Sequence, residues 1–359
     1  MEREILSCLV LSGLKRIGSR TFKALVDEFG SGEMVLSIDK ERVSKFDKTV
    51  VDIISSVKEE DFEKAYREME KAQKLNIRII PYTSAEYPRL LKSIPDPPPV
   101  LYVKGNSLPD ENLLSVVGTR KPSNYGKYVV ENLLRPAVKE GICVVSGMAT
   151  GIDYLSHSVA LEEGGVTVAV LGSGVDVVYP PESRKLYYRI QENGCVISEL
   201  PIGAKPSKYT FPSRNRIIAA LSYVTFIVEA PDKSGSLITA QFAHQYSRLI
   251  LTVPGNINMP TLSGNNSLIR QGIAVPINSL EDLYTELPFL RNRENSSPYL
   301  GGEKLSELEV ELLNFLGVPK HTDEILERFN FDSRVDEALI CLVLKGMIQE
   351  EGGYYYRTG

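Results

Sequence analysis

At 359 residues the chain is long for one hydrophobic core, and length alone points to about two domains. A content of 43% hydrophobic and 24% charged residues excludes a disordered chain, and no apolar run reaches the ~18 residues of a membrane span. The formal net charge of −5 divides unevenly, with 18 basic against 17 acidic residues in 1–104, 15 against 16 in 105–290 and 8 against 13 in 291–359. Global charge therefore neither requires nor excludes a nucleic acid, and a polyanion site has to be local.

The opening MEREILSCLVLSGLKRIG carries acids in its first turn and only a short apolar run, a poor signal peptide. Cys8, Cys143, Cys195 and Cys341 lack CxxC spacing and read as reduced, buried thiols of a cytoplasmic protein. With three histidines (His157, His244 and His321), a multi-histidine metal centre is not expected. Residues 1–75 read as short helices broken at Ile17-Gly18-Ser19. The proline cluster IPDPPP at 94–99 then marks a connection or edge before the strand-like VLYV.

From residue 113 the text becomes strand, glycine, helix, repeated. LLSVV, ICVVS, VTVAVLG, CVIS, YVTFIVEA and LILTVPG are apolar runs of the kind found in strands covered on both faces. Their alternation with helices predicts an α/β doubly wound parallel sheet. A polar break, RNRENSSPYLGG at 291–302, reads as a linker. Beyond it, three short amphipathic helices and a hairpin with a Gly-Gly turn outline a winged helix over 303–359.

The chain has no GxxxxGK[ST], GxSxG or HExxH, and the GxG at Gly172–Gly174 has Val177 in place of its third glycine. What remains is a set of loops at the carboxyl ends of strands, where open α/β sheets place ligands. Gly118, Arg120 and Lys121 follow the first strand, and Gly147 and Gly151 bracket the glycine-rich loop that opens the next helix. The stretch GAKPSKYTFPSRNR at 203–216 carries Lys205, Lys208, Arg214, Asn215 and Arg216, with Tyr209 and Phe211 interleaved and no acid. Cations that follow a backbone and an aromatic on which a base stacks are the requirements of single-stranded nucleic acid, stacking contributing about 1–3 kcal/mol per base. The alternative for Arg214 and Arg216 is a structural ion pair with Glu199 or Glu229. His157 and His244 read as packing or helix-surface residues, and no paired carboxylates stand beside a nucleophile.

The ordered motifs VVGTRKPSNYG, VVSGMATGIDYLSH, VAVLGSGVDVVYP, SELP, FPSRNRIIAALS, VEAPDKSGSLITAQFA, VPGN and GNNSLIRQG resemble the DNA-processing protein A (DprA/Smf) family over about 85–290. That resemblance implies an extended Rossmann-like domain (76–290) between a helical, sterile-alpha-motif-like domain (1–75) and the winged helix. It also implies a protein without catalysis or cofactor that binds single-stranded DNA and loads the RecA recombinase during uptake of transforming DNA, as a homodimer and without a membrane. Its DNA contacts fall on Arg120, Lys208 and Phe211, with the 146–151 loop in the same pocket. Thr150 stands where the family more often has arginine. The acidic tail is a poor phosphate binder and is expected to meet a protein or regulate the core; tight, salt-dependent DNA binding by residues 303–359 is the result against that. The competing reading is a LOG-like phosphoribohydrolase. Its PGGxGTxxE motif is not met at VEAPDKSGSLITA, where Asp232 and Lys233 follow Pro231 and no glutamate stands at the motif's spacing.

Overall fold

The computed structural model describes residues 2–37, 46, 48–287, 306–316, 320–329, 332, 334–344, 347–351 and 353–357; the linker expected at 291–302 lies outside them. The chain divides into two compact units, Met1–Glu286 and Leu287–Gly359.

The first unit opens with five helices: α1 (Glu2–Gly13), α2 (Ser19–Phe29), α3 (Gly32–Ser37), α4 (Lys48–Ser55) and α5 (Glu59–Lys74). Leu11, Phe22 and Leu25 of these helices belong to the same buried core as Leu101 and Ile197 of the sheet. The boundary expected near residue 75 thus falls between elements that share one core.

The sheet has nine strands: β1 (Arg78–Pro81), β2 (Val100–Gly105), β3 (Leu113–Val117), β4 (Cys143–Ser146), β5 (Thr167–Val170), β6 (Cys195–Ser198), β7 (Val224–Ile227), β8 (Leu249–Thr252) and β9 (Val275–Pro276). Their order is β1-β2-β6-β5-β4-β3-β7-β8-β9. From β6 to β9 every pair is parallel, with Ser115 opposite Val145 and Val116 opposite Phe226. Strands β3 to β7 are buried along their whole length, which explains their unbroken apolar text. The parallel array expected from sequence carries an addition at one edge. β1 and β2 pair antiparallel with each other and β2 antiparallel with β6, so VLYV lies one strand in from the edge. β1 ends at Pro81, which has no N–H to give a ladder and is suited to an edge strand.

Helices connect the strands: α6 (Arg89–Lys92), α7 (Asn124–Val129), α8 (Arg135–Lys139), α9 (Ile152–Glu162), α10 (Arg184–Asn193), α11 (Thr210–Ala220), α12 (Ser236–Gln245), α13 (Ser263–Arg270) and α14 (Leu280–Thr285). A π turn at Val130–Leu134 joins α7 to α8. Pro136 lies just beyond it and has no N–H for the ordinary i−4 bond, which accounts for the local widening. From β3 the chain steps outward through β4, β5 and β6, then crosses back to lay β7 on the other side of β3. That reversal opens a crevice at the carboxyl ends of β3 and β7.

The second unit holds helices Glu307–Phe315, Thr322–Arg328 and Arg334–Leu344 and an antiparallel sheet of β10 (Lys320–His321), β11 (Ile348–Glu351) and β12 (Tyr354–Arg357), ordered β10-β12-β11. Leu312, Ile325, Leu339 and Ile348 centre its own core. One cysteine departs from expectation: Cys8, Cys143 and Cys195 are buried, but Cys341 is exposed. Among the described residues no helix is long and apolar enough to cross a membrane.

Candidate nucleic-acid interface

A cavity of about 840 Å³ occupies the crevice and is lined by the loops after β3, β4 and β7 and by the 206–215 stretch. The loop after β3 is tied on both sides. Thr119 N–H donates to Glu229 O (2.7 Å), and Thr119 O accepts from Ile152 N–H (3.1 Å). Ser123 N–H donates to the buried Glu229 Oε2 (2.8 Å), and Ser123 Oγ caps α7 by accepting from Gly126 N–H (3.2 Å). Gly118 packs on Ile152, where a Cβ would come within 2.6 Å of Cγ1. The backbone is thereby fixed while the Arg120 and Lys121 side chains stay exposed.

The glycine loop between β4 and α9 is held in a strained shape. Met148 is buried at φ 56°, a left-handed conformation that a side chain disfavours, and Gly151 has φ 86°. A Cβ at Gly151 would lie 2.3 Å from Thr119 O, and one at Gly147 would lie 2.4 Å from Arg214 Nη1. Gly151 thus requires glycine, and a side chain at Gly147 would have to displace the buried Arg214 guanidinium. Thr150 is exposed.

The 203–216 stretch separates into rim and interior. Lys208 is exposed, with Nζ 5.1 Å from the Tyr209 ring centroid, and Lys205 is exposed but does not line the cavity. Thr210 Oγ1 donates to Gly172 O (2.6 Å), seating the start of α11 so that the half-buried Phe211 ring covers Gly172. Tyr179 lies beside it with ring centroids 5.4 Å apart, and the Arg120 guanidinium carbon is 5.9 Å from the Phe211 centroid. Asn215 Nδ2 donates to Gly235 O (3.2 Å), linking α11 to the start of α12.

Arg214 and Arg216 are buried, 5% and 6% exposed; Arg214 still lines the crevice, whereas Arg216 lies away from it. Arg214 Nη1 donates to Gly147 O (2.6 Å) and to Val170 O, which ties the glycine loop to the end of β5. Burial holds its guanidinium down to about 10, and burial raises the Asp153 carboxyl in spite of the nearby Arg214 charge. Arg216 bonds Glu199 through Nη2 and Asp96 O through Nη1 (2.6 Å), which realises the structural alternative. The reason is that α11 is buried on every side from Arg216 to Ala220, with Arg214 one turn before Ile218, so the two guanidiniums enter the interior in opposite directions.

Among the lining residues that sequence reasoning missed, Tyr179 and Lys233 bring a ring and a cation to the cavity. Lys233 gave the only signal, as a cation in a Gly/Ser-rich strand-to-helix loop; Tyr179 gave none, because its ring meets Phe211 only in three dimensions. Arg120, Lys121, Lys208 and Lys233 are all exposed and none pairs with a carboxylate among the described residues. A second cavity of about 890 Å³ lies between the N-terminal helices and the β2/β6 region. It mixes Arg20, Lys64 and Arg216 with Asp61, Glu68, Asp96 and Glu199, a lining with no preference for a polyanion.

His157 is fully buried away from the crevice, in keeping with a packing role, and His244 is exposed on α12. Thr167 Oγ1 donates to Val144 O (2.8 Å), so His157 Nδ1 is the donor in its 2.6 Å bond to Thr167 Oγ1. Its Nε2 has no partner, and burial holds the imidazole down to about 3. The unfolded chain takes a proton near pH 6.5 and the native one does not. The stability due to neutral His157 is therefore complete above pH 6.5 and is lost as pH falls toward 3, by up to ~1.4 kcal/mol per pH unit. His157→Asn keeps a donor toward Thr167 and cannot titrate. Urea midpoints from pH 7 to 5 are expected to fall less steeply for the variant, and equal slopes would refute the assignment.

The architecture and site define an α/β protein of doubly wound type with a cation-rimmed, aromatic-floored crevice at its topological switch. Residues 78–288 match the family model for DNA recombination-mediator protein A, and the chain belongs to that family. It is 41% identical to the DNA processing protein DprA of Bacillus subtilis over 66% of this chain and 77% of the relative. It is also 41% identical to Protein Smf of Synechocystis over 58% of this chain, a match that spans 53% of that longer relative. Among solved structures, DNA processing protein A of Streptococcus pneumoniae aligns with a TM-score of 0.63 at 32% identity, covering 79% of this chain and 96% of that one. The Helicobacter pylori protein, whose structure describes a single-stranded DNA binding mode, aligns with a TM-score of 0.53 at 28% identity, covering 62% and 97%.

Proposed function

We propose that this protein binds single-stranded DNA in the crevice at the carboxyl ends of β3 and β7. In this reading it passes the strand to a RecA-type recombinase in homologous recombination, including recombination of DNA taken up in transformation. One observation carries the reading: four unpaired cations, Arg120, Lys121, Lys208 and Lys233, surround the Tyr179 and Phe211 rings in one cavity. Cations take backbone phosphates and rings take unstacked bases, and a duplex keeps its bases stacked away from such rings. Gly118, Gly147, Gly151 and Asn215 serve by shaping the loops, and Lys205 extends the positive approach. Family membership supports a recombination role over the phosphoribohydrolase reading. A homodimer formed through the Rossmann-like unit, and a winged-helix second unit that meets protein, belong to the same proposal.

Fluorescence anisotropy with labelled oligo-dT and a matched duplex tests the binding step. Preference for the single strand, weakened by salt, is expected. Equal or tighter binding of the duplex would overturn the reading. For the hand-over, RecA filament growth on strands coated with single-strand-binding protein should speed up when this protein is added; an unchanged rate would remove that step.

A further inference from the structure

The Gly147–Gly151 loop and the first turn of α9 have the form in which doubly wound folds commonly hold a phosphate: backbone N–H groups at a helix N-terminus behind a glycine-rich turn. In this chain the Gly147, Ala149, Ile152 and Tyr154 N–H groups are already engaged. Asp153, the second residue of α9 and 6% exposed, turns back on the loop so that Ala149 N–H donates to its Oδ2 (3.4 Å), and the Gly147 N–H also bears on its carboxylate. Ile152 N–H is spent on Thr119 O (3.1 Å) and Tyr154 N–H on Ala149 O (3.1 Å). The opposing charge comes from another helix: Arg214 of α11 lies against Gly147, buried, with its Nε unpartnered and its charge acting on Asp153.

We propose that Asp153, with Arg214 behind it, occupies the phosphate seat of this fold, so that the crevice refuses a free phosphate or mononucleotide at the glycine loop and takes a polynucleotide only through the cations on its rim. The first half rests on the loop geometry alone; the second half rests on the single-stranded DNA reading above. An incoming phosphate would meet N–H groups at 147, 149, 152 and 154 that are already committed, and a buried carboxylate, a like-charge encounter in a medium that screens poorly. A polynucleotide does not need that seat, since each backbone phosphate finds Arg120, Lys121, Lys208 or Lys233 at the surface. The arrangement therefore selects polymer over monomer, where a nucleotide-using enzyme of similar fold would keep the seat open.

The test uses the full chain and three probes: inorganic phosphate and dTMP followed by ³¹P NMR and calorimetry, and labelled oligo-dT followed by anisotropy. Wild type is expected to show no saturable binding of phosphate or dTMP below about 10 mM. Asp153→Ala removes the carboxylate and exposes Arg214 and the loop amides; it is expected to gain phosphate affinity by about tenfold or more. Its melting temperature should rise with phosphate by more than that of wild type. Should Asp153→Ala not fold, Asp153→Asn keeps the shape without the charge and carries the same expectation. Saturable phosphate binding by wild type that protects amides 147–154 from hydrogen exchange would overturn the proposal, as would a folded variant with no gain. Loss of the oligo-dT signal in wild type alone would instead sink the DNA reading and leave the occupied seat standing.

Discussion

The Arg120→Ala/Lys208→Ala chain is expected to bind oligo-dT about 100-fold more weakly than wild type at low salt, and its affinity should also fall less steeply as salt is raised. Both side chains are exposed and meet no carboxylate among the described residues, only an aromatic ring each, so their loss should change stability by no more than about 0.5 kcal/mol. Each cation contributes a charge-assisted contact of about 1.5 kcal/mol to a phosphate, close to tenfold in affinity. Loss of two phosphate contacts should reduce the slope of log affinity against log salt by about 1.4 on a single strand. Arg120 has a second task, because its guanidinium lies over the Phe211 ring and braces it against Tyr179. Arg120→Lys should therefore keep much of the salt slope and lose part of the affinity, since ammonium does not stack as guanidinium does. Anisotropy at two salt concentrations reads both quantities. An unchanged affinity in the double variant would remove the crevice from the binding site.

Arg216→Ala is expected to destabilise the first unit by about 3–5 kcal/mol, the cost of leaving a buried charge without its partner. The side chain is 7% exposed and joins Glu199, at the end of β6, to Asp96 of the proline-rich connection, which Tyr246 OH also holds through Asp96 Oδ1 (2.8 Å). One guanidinium thus staples three segments, and its removal strands Glu199, whose carboxyl burial already raises. Pairing the change with Glu199→Gln removes the stranded charge and should recover a good part of the loss. Urea denaturation of the two single variants and the double one gives the coupling. The salt slope of oligo-dT binding, taken on the folded fraction, should be unaltered by Arg216→Ala. A lower slope with full stability would return Arg216 to the DNA contacts.

Much of the frame is legible in the residue string because it obeys local rules. The buried strands β3 to β8 announce themselves as short Val/Ile/Leu runs, since both faces of a central parallel strand meet helices. Glycine loops at strand ends, and the acid-free run of cations and aromatics at 203–216, likewise stand out, because composition over a few residues suffices to mark them. The same rule could not divide that run. Lys208 reads as a contact, but for Arg216 a contact and a structural ion pair stay equally open, and in the fold one is on the rim and the other is buried. The difference is set by the face of α11 that packs on the sheet and by where Asp96 and Glu199 come to lie.

The antiparallel pair β1 and β2 was hidden for a related reason: RIIP and VLYVKG are strand-like, but pairing direction is decided by chain reversal and not by composition. The meeting of Tyr179 with Phe211, the tie of Glu229 to the Gly118–Ser123 loop, and the seating of Asp153 in the glycine loop each join segments far apart in sequence. By itself the sequence determined the alternation of strands and helices and the family's ordered motifs, which depend on short-range chemistry. The tertiary structure alone decided which charges face water and which are spent on the fold, because burial is a property of packed neighbours that no single stretch of chain contains.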